Sequence, residues 1–97
     1  ELEQRQGSLF IHEAEFSGPV NINWNRGRFN FSLVSSDGTK LASTGSLKDV
    51  GGQRWILRSA YANCVIVIAR DLNVVIGEEV LSCAGSVDDV RFTKLAE

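Results

Sequence analysis

Methionine is absent from this 97-residue chain, histidine and proline occur once each, and cysteine occurs only twice. With His12 as the sole imidazole, a Ser-His-Asp or Cys-His centre has one place to be built. Zinc wants three or four ligands at recognisable spacing, which one histidine and two distant cysteines do not supply. There is no Cys-x-x-Cys pair for redox catalysis, and Gly51-Gly52 lacks the Lys-Ser or Lys-Thr of a nucleotide P-loop. The longest apolar run, Cys64 to Ala69, is strand length and far short of the roughly 20 residues of a membrane-spanning helix. No cofactor, no metal and no membrane span are expected. The chain also starts at Glu1 without a methionine or signal peptide, so either a leader has been removed or the sequence is part of a longer chain.

What is present describes one ordinary globular domain. Apolar residues make up 43% and charged residues 23%, enough for a core and without the bias of a disordered chain. A net charge of −2 gives no general attraction to nucleic acid or anionic membrane, although a local basic patch remains open.

Residues 1–7 are polar and aperiodic and read as a flexible N-terminal arm, with residues 8–97 as a single β-domain. Ser8 to Phe16 alternates, with Phe10, His12, Ala14 and Phe16 on one face and Glu13 and Glu15 on the other, the period of a half-buried strand. Ser17-Gly18-Pro19 breaks it, and Val20, Ile22 and Trp24 resume the alternation. Gly27 supplies a turn, and Phe29, Phe31 and Leu33 alternate after it. Ser35-Ser36-Asp37-Gly38 is the strongest hairpin signal, with Lys40 to Thr44 as a short returning strand.

Gly45 to Gln53 reads as loop. Arg54 to Ala62 fits a strand through Trp55, Ile56 and Leu57, although Ile56, Ala60 and Cys64 would also share one helical face; strand is favoured. Arg70 to Asn73 and Gly77-Glu78 are turn candidates, and Ser86 to Lys94 closes the chain. The sum is an all-β domain, a sandwich or small barrel of about eight short, mainly antiparallel strands. The echo between Gly45-Ser46-Leu47-Lys48-Asp49-Val50 and Gly85-Ser86-Val87-Asp88-Asp89-Val90 is explained by reused turn chemistry better than by duplication.

Cys64 and Cys83 each sit in an apolar, strand-like segment. Bridged, they staple strand register and place the protein in an oxidising, secreted setting; free, they are two small core residues. One arrangement is an antiparallel hairpin with Cys64 opposite Cys83, Ile66 opposite Leu81 and Val67 opposite Val80. The rival inserts Leu72 to Ile76 as a middle strand, so that the bridge joins non-adjacent strands.

Chemistry is thin. His12, in phase with Phe10 and Phe16, reads as a packed or edge-satisfied histidine, and a hydrolase using it with a carboxylate is a distant alternative. Glu13 and Glu15 share a face, as an acid pair would, but a solvated sheet face explains them better. Asn30-Phe31-Ser32 matches a glycosylation sequon inside a predicted strand. The richest stretch runs from Asn21 to Phe31, where Trp24, Asn25, Arg26 and Arg28 form the candidate binding set. Gly18-Pro19-Val20, Trp24-Asn25 and Arg26-Gly27-Arg28-Phe29-Asn30-Phe31 resemble the first strands of the cold-shock family. Arg28 is inserted, Asn30 replaces a glycine, and the family's second aromatic motif is absent. That resemblance implies an OB-like barrel binding single-stranded nucleic acid through Trp24, Arg26, Arg28 and Phe29. Cys83-Ala84-Gly85-Ser86-Val87-Asp88 is similar to the last strands of the major-allergen family of secreted fungal β-barrels.

The sequence therefore predicts a small secreted, non-enzymatic binding module, such as an effector, toxin-like or adhesion protein, with a protein or carbohydrate partner. Single-stranded nucleic-acid binding is the alternative.

Overall fold

The computed structural model describes residues 2–95. Eight antiparallel strands form a closed barrel in which each strand pairs with the next and the last with the first. They are β1 (Glu3–Ile11), β2 (Ala14–Asn23), β3 (Arg28–Ser35), β4 (Lys40–Gly51), β5 (Arg54–Ser59), β6 (Val65–Arg70), β7 (Val74–Ser82) and β8 (Asp89–Lys94), with one 3-10 turn at Tyr61–Asn63. The expected all-β domain is thus an up-and-down barrel, whose continuous meander differs from the five-stranded Greek key of an OB-fold.

Alternation builds the wall. In β3 every second residue is buried, so Phe29, Phe31 and Leu33 point inward. Val20, Ile22, Leu57, Ile66, Ile68 and Phe92 enter the same core from other strands. Eight strands enclose a space just wide enough for such side chains to fill. The void left among Leu9, Phe29, Leu57 and Phe92 measures only about 30 Å³.

Several expectations need correction. Residues Glu3–Gly7 are not an arm: they form the first half of β1, paired with β2 on one edge and β8 on the other. Polar residues hid the strand because its inward positions there are Arg5 and Gly7 rather than large apolar side chains. Ser8 to Phe16 is a hairpin rather than one strand. His12 and Glu13 form its two-residue turn at φ 49° and 69°, a mirror-image turn built without the glycine or asparagine that usually announces it. Leu9 and Ile11 face inward, His12 is exposed, and Glu13 no longer shares a strand face with Glu15.

Gly18-Pro19 lies inside β2. A Cβ on Gly18 would collide with the Ser32 carbonyl, so glycine permits the approach of β3 there. Pairing with β3 skips these two residues, as a proline without N–H requires.

Gly45 to Gln53 is mostly strand. β4 continues to Gly51 against β5, leaving a turn at Gly52-Gln53 with φ 64° and 62°. The echo segments therefore differ in structure, because Gly45–Val50 lies in β4 whereas Gly85–Asp88 precedes β8. A Cβ on Gly45 would strike the Phe29 ring and the Arg58 carbonyl. Gly45→Ala is expected to cost about 2 kcal/mol through overpacking, read as a melting temperature lowered by roughly 10 °C. An unchanged melt would contradict the close contact.

Gly77-Glu78 is not a turn either. Cys64 immediately precedes β6 and Cys83 immediately follows β7; these strands are neighbours, and Val65 pairs with Ser82 as the hairpin register requires, but bulges shift Ile66 to Val80 and Ile68 to Gly77. The Asp71 carboxylate accepts the Asn73 and Val74 N–H groups and closes the short turn between β6 and β7, so that Val74–Ile76 of the rival middle strand form the start of β7 itself. Those two bonds hold its carboxyl below the ordinary range. Asp37 likewise fixes the β3–β4 hairpin: a hydrogen bond from Ser35, with the Thr39 N–H, lowers its carboxyl to about 2. Cys64 and Cys83 are disulfide-bonded, which is compatible with an extracellular protein. No helix among the described residues is long and apolar enough to cross a membrane.

Candidate functional site

The outer face of β2–β5 carries two polar rows fixed by strand register. Asn21 lies opposite Asn30, and Asn30 opposite Thr44. One step along, Asn23 lies opposite Arg28, Arg28 opposite Ser46, and Ser46 opposite Arg58. Two strand spacings separate Arg28 from Arg58, roughly 10 Å. Arg26 joins them from the β2–β3 turn, where its N–H donates to Asn23 Oδ1 at 3.1 Å. Asn21 Nδ2 donates to Asn30 Oδ1 at 3.1 Å, which orients both amides.

These residues line an open cleft of about 760 Å³ in which no described aspartate or glutamate takes part. Arg26, Arg28 and Arg58 have no ion-pair partner among the described residues, whose bridges are Arg5–Glu3 and Arg54–Glu78. The face is therefore a basic patch on a chain of net charge −2. Its amides, hydroxyls and guanidinium groups offer converging hydrogen bonds to an acceptor-rich ligand.

The four residues singled out from the sequence do not stay together. Arg26 and Arg28 enter the cleft, whereas Trp24 and Asn25 lie at the end of the barrel beside Glu3 and Arg70. Trp24 is 9% exposed and packs 4.9 Å from the Trp55 ring, centroid to centroid. Its indole Nε1–H donates to Glu3 Oε1 at 3.0 Å, and the Arg70 guanidinium lies 4.1 Å above its ring. Phe29 is also in the core, so neither ring offers a face to a nucleic-acid base. Asn21, Asn23, Asn30, Ser46 and Arg58 were missed; outward phase in the alternating segments marks the three asparagines as surface residues, whereas Ser46 and Arg58 join them only through strand register.

The barrel end contains a buried charge that the sequence reading also passed over. Arg5 is 1% exposed; its Nε donates to Glu3 and its Nη1 to the Phe92 carbonyl at 3.3 Å. Burial pushes the Glu3 carboxyl up, but hydrogen bonds from Arg5 and Trp24, with the charges of Arg5 and Arg70, outweigh it and hold the group below its ordinary value. The cluster ties β1, β6, β8 and the residue that follows β2 together, with the Glu3 carboxylate shared between Arg5 and Trp24. His12 stands alone at a hairpin tip, and no metal-holding group of His, Cys, Asp and Glu occurs among the described residues.

No known protein family, no curated protein and no solved structure matches this chain.

Proposed function

We propose that this domain is a small extracellular, non-enzymatic binding module that holds an acidic carbohydrate in the β2–β5 cleft, as an effector, toxin-like protein or adhesin would. The observation that carries the reading is the set of unpaired Arg26, Arg28 and Arg58 in a cleft without a described carboxylate. Guanidinium groups recognise carboxylate or sulfate through paired hydrogen bonds, and Asn21, Asn30 and Thr44 suit sugar hydroxyls. The absence of an exposed aromatic ring among the cleft-lining residues favours a saccharide over stacked bases, because Phe29 is 4% exposed. The disulfide supports an extracellular setting.

Calorimetric titration with a sulfated uronate-containing hexasaccharide tests this, with its desulfated counterpart and a single-stranded oligonucleotide as comparisons. The sulfated ligand should bind, weaken with added salt, and be recovered unchanged in mass. Arg28→Glu and Arg58→Glu should each weaken it roughly 10-fold or more, the loss expected for a charge-assisted hydrogen bond. Indifference to both substitutions, or tighter binding of the oligonucleotide, would remove the reading.

A further inference from the structure

On the side of the barrel away from the arginines, the wall is parted between β7 and β8. β8 pairs with β7 only from Val74–Thr93 to Ile76–Arg91, while its other edge stays paired with β1 as far as Phe10–Asp89. β7 remains paired with β6 up to Ser82. The two strands therefore diverge beyond Gly77, where Val90 packs close. Burial records the opening. Val75 and Val80 both point inward on β7, yet Val75 is fully buried and Val80 is 46% exposed.

Tethers on both sides keep the strands apart. The disulfide and the Ala84 N–H bond to the Ala62 carbonyl (2.7 Å) hold the end of β7 towards β6. The Asp88 N–H bond to the Phe10 carbonyl (2.8 Å) holds the start of β8 towards β1. Among the described residues, the pairing of β7 with β8 ends at Ile76–Arg91, and Glu78–Ser82 has no partner on β8. Such an unpaired edge is a template for an added strand.

The cleft along this edge measures about 80 Å³ and is lined by Glu78, Glu79, Asp88 and Asp89 together with Val80 and Val87. Glu78 is engaged by Arg54, and the other three carboxylates have no ion-pair partner among the described residues. We infer that Glu78–Ser82 accepts an extended segment of a partner protein in which lysine or arginine alternates with apolar residues. The basic side chains would answer Glu79, Asp88 and Asp89, and the apolar ones would cover Val80 and Val87. A second copy of this chain fits poorly, because it would bring the same carboxylates to the edge and its bulges would spoil the match.

A fluorescently labelled, end-capped hexapeptide alternating lysine and valine provides the probe, read by anisotropy at low salt. It should bind and slow hydrogen exchange among the Glu78–Ser82 amides. Methylating the peptide nitrogens that face β7 should weaken it by roughly 10-fold or more, since two or three backbone hydrogen bonds disappear. The exposed-site variants Glu79→Lys and Asp89→Lys should weaken it comparably. The inference fails if the peptide does not bind, if the methylated form or a glutamate–valine peptide binds equally well, or if protection appears elsewhere. Self-association of the free chain through the same amides would assign the edge to a second copy and also overturn it.

Discussion

Glu3→Ala should destabilise the barrel by about 3 kcal/mol, because it strands a positive charge inside the wall. Arg5 is 1% exposed and would keep only the Phe92 carbonyl as acceptor, while the Trp24 indole N–H would lose its partner as well. Glu3 itself is partly open, at 26% side-chain exposure, which places the loss at the lower end for a broken buried pair. For a domain of this length the melting temperature should fall by roughly 15 °C. Arg5→Met should cost less than Glu3→Ala, since it removes the charge along with the need for a partner.

The same pair sets an acid limb. A carboxyl held below its ordinary value of 4.5 in the fold contributes stability fully above that pH. The contribution is lost as pH falls through the lower folded value. Urea midpoints measured between neutral pH and pH 3 should show this loss, and Glu3→Gln should flatten its share of it. An acid limb identical in Glu3→Gln would show that Glu3 and Arg5 do not act as described.

Replacing Cys64 and Cys83 together by alanine should cost a further, similar amount. The bridge spans 19 positions of chain, and closing such a loop in the unfolded state is worth about 3 kcal/mol in the entropy model. Cys64 is also 2% exposed, so truncation removes packed volume. The expected melt is roughly 15 °C lower, with a steeper urea dependence because the unfolded chain is no longer cross-linked. If unreduced and reduced wild-type protein melt together, the bridge is not a stabilising staple. Beyond stability, the variant should loosen the end of β7, because the Val65–Ser82 pairing and the Ala84–Ala62 hydrogen bond would then hold it towards β6 without a covalent tie.

Local patterns made part of this barrel legible. β3 announced itself through Phe29, Phe31 and Leu33, and the turns at Gly27 and Gly38 through residues that tolerate the positive φ found there. Segments failed where the usual signal was missing. The first hairpin turns on His12 and Glu13, and β1 begins with an inward arginine whose partner is two residues away rather than with a hydrophobe. The second half of β4 has Gly45, Leu47 and Asp49 in one phase, too polar to suggest a strand until Leu57 and Trp55 lie opposite.

For the site, Arg26 and Arg28 were visible because they are close in sequence. Arg58 joined them only through cross-strand register, which depends on every intervening hairpin. Trp24 attracted attention as an aromatic beside arginines, and the aromatic–arginine contact does exist. The arginine above it is Arg70, from the far side of the sequence, and the pair sits at the barrel end rather than in the arginine cleft.

Amide chemical-shift mapping during titration with the sulfated hexasaccharide locates its binding surface residue by residue. Shifts should gather on Asn21, Asn23, Arg26, Arg28, Asn30, Ser46 and Arg58, with Glu78–Ser82 and the Glu3–Trp24 end unmoved. Shifts centred on either of those other regions, or none at low salt, would contradict binding in the cleft.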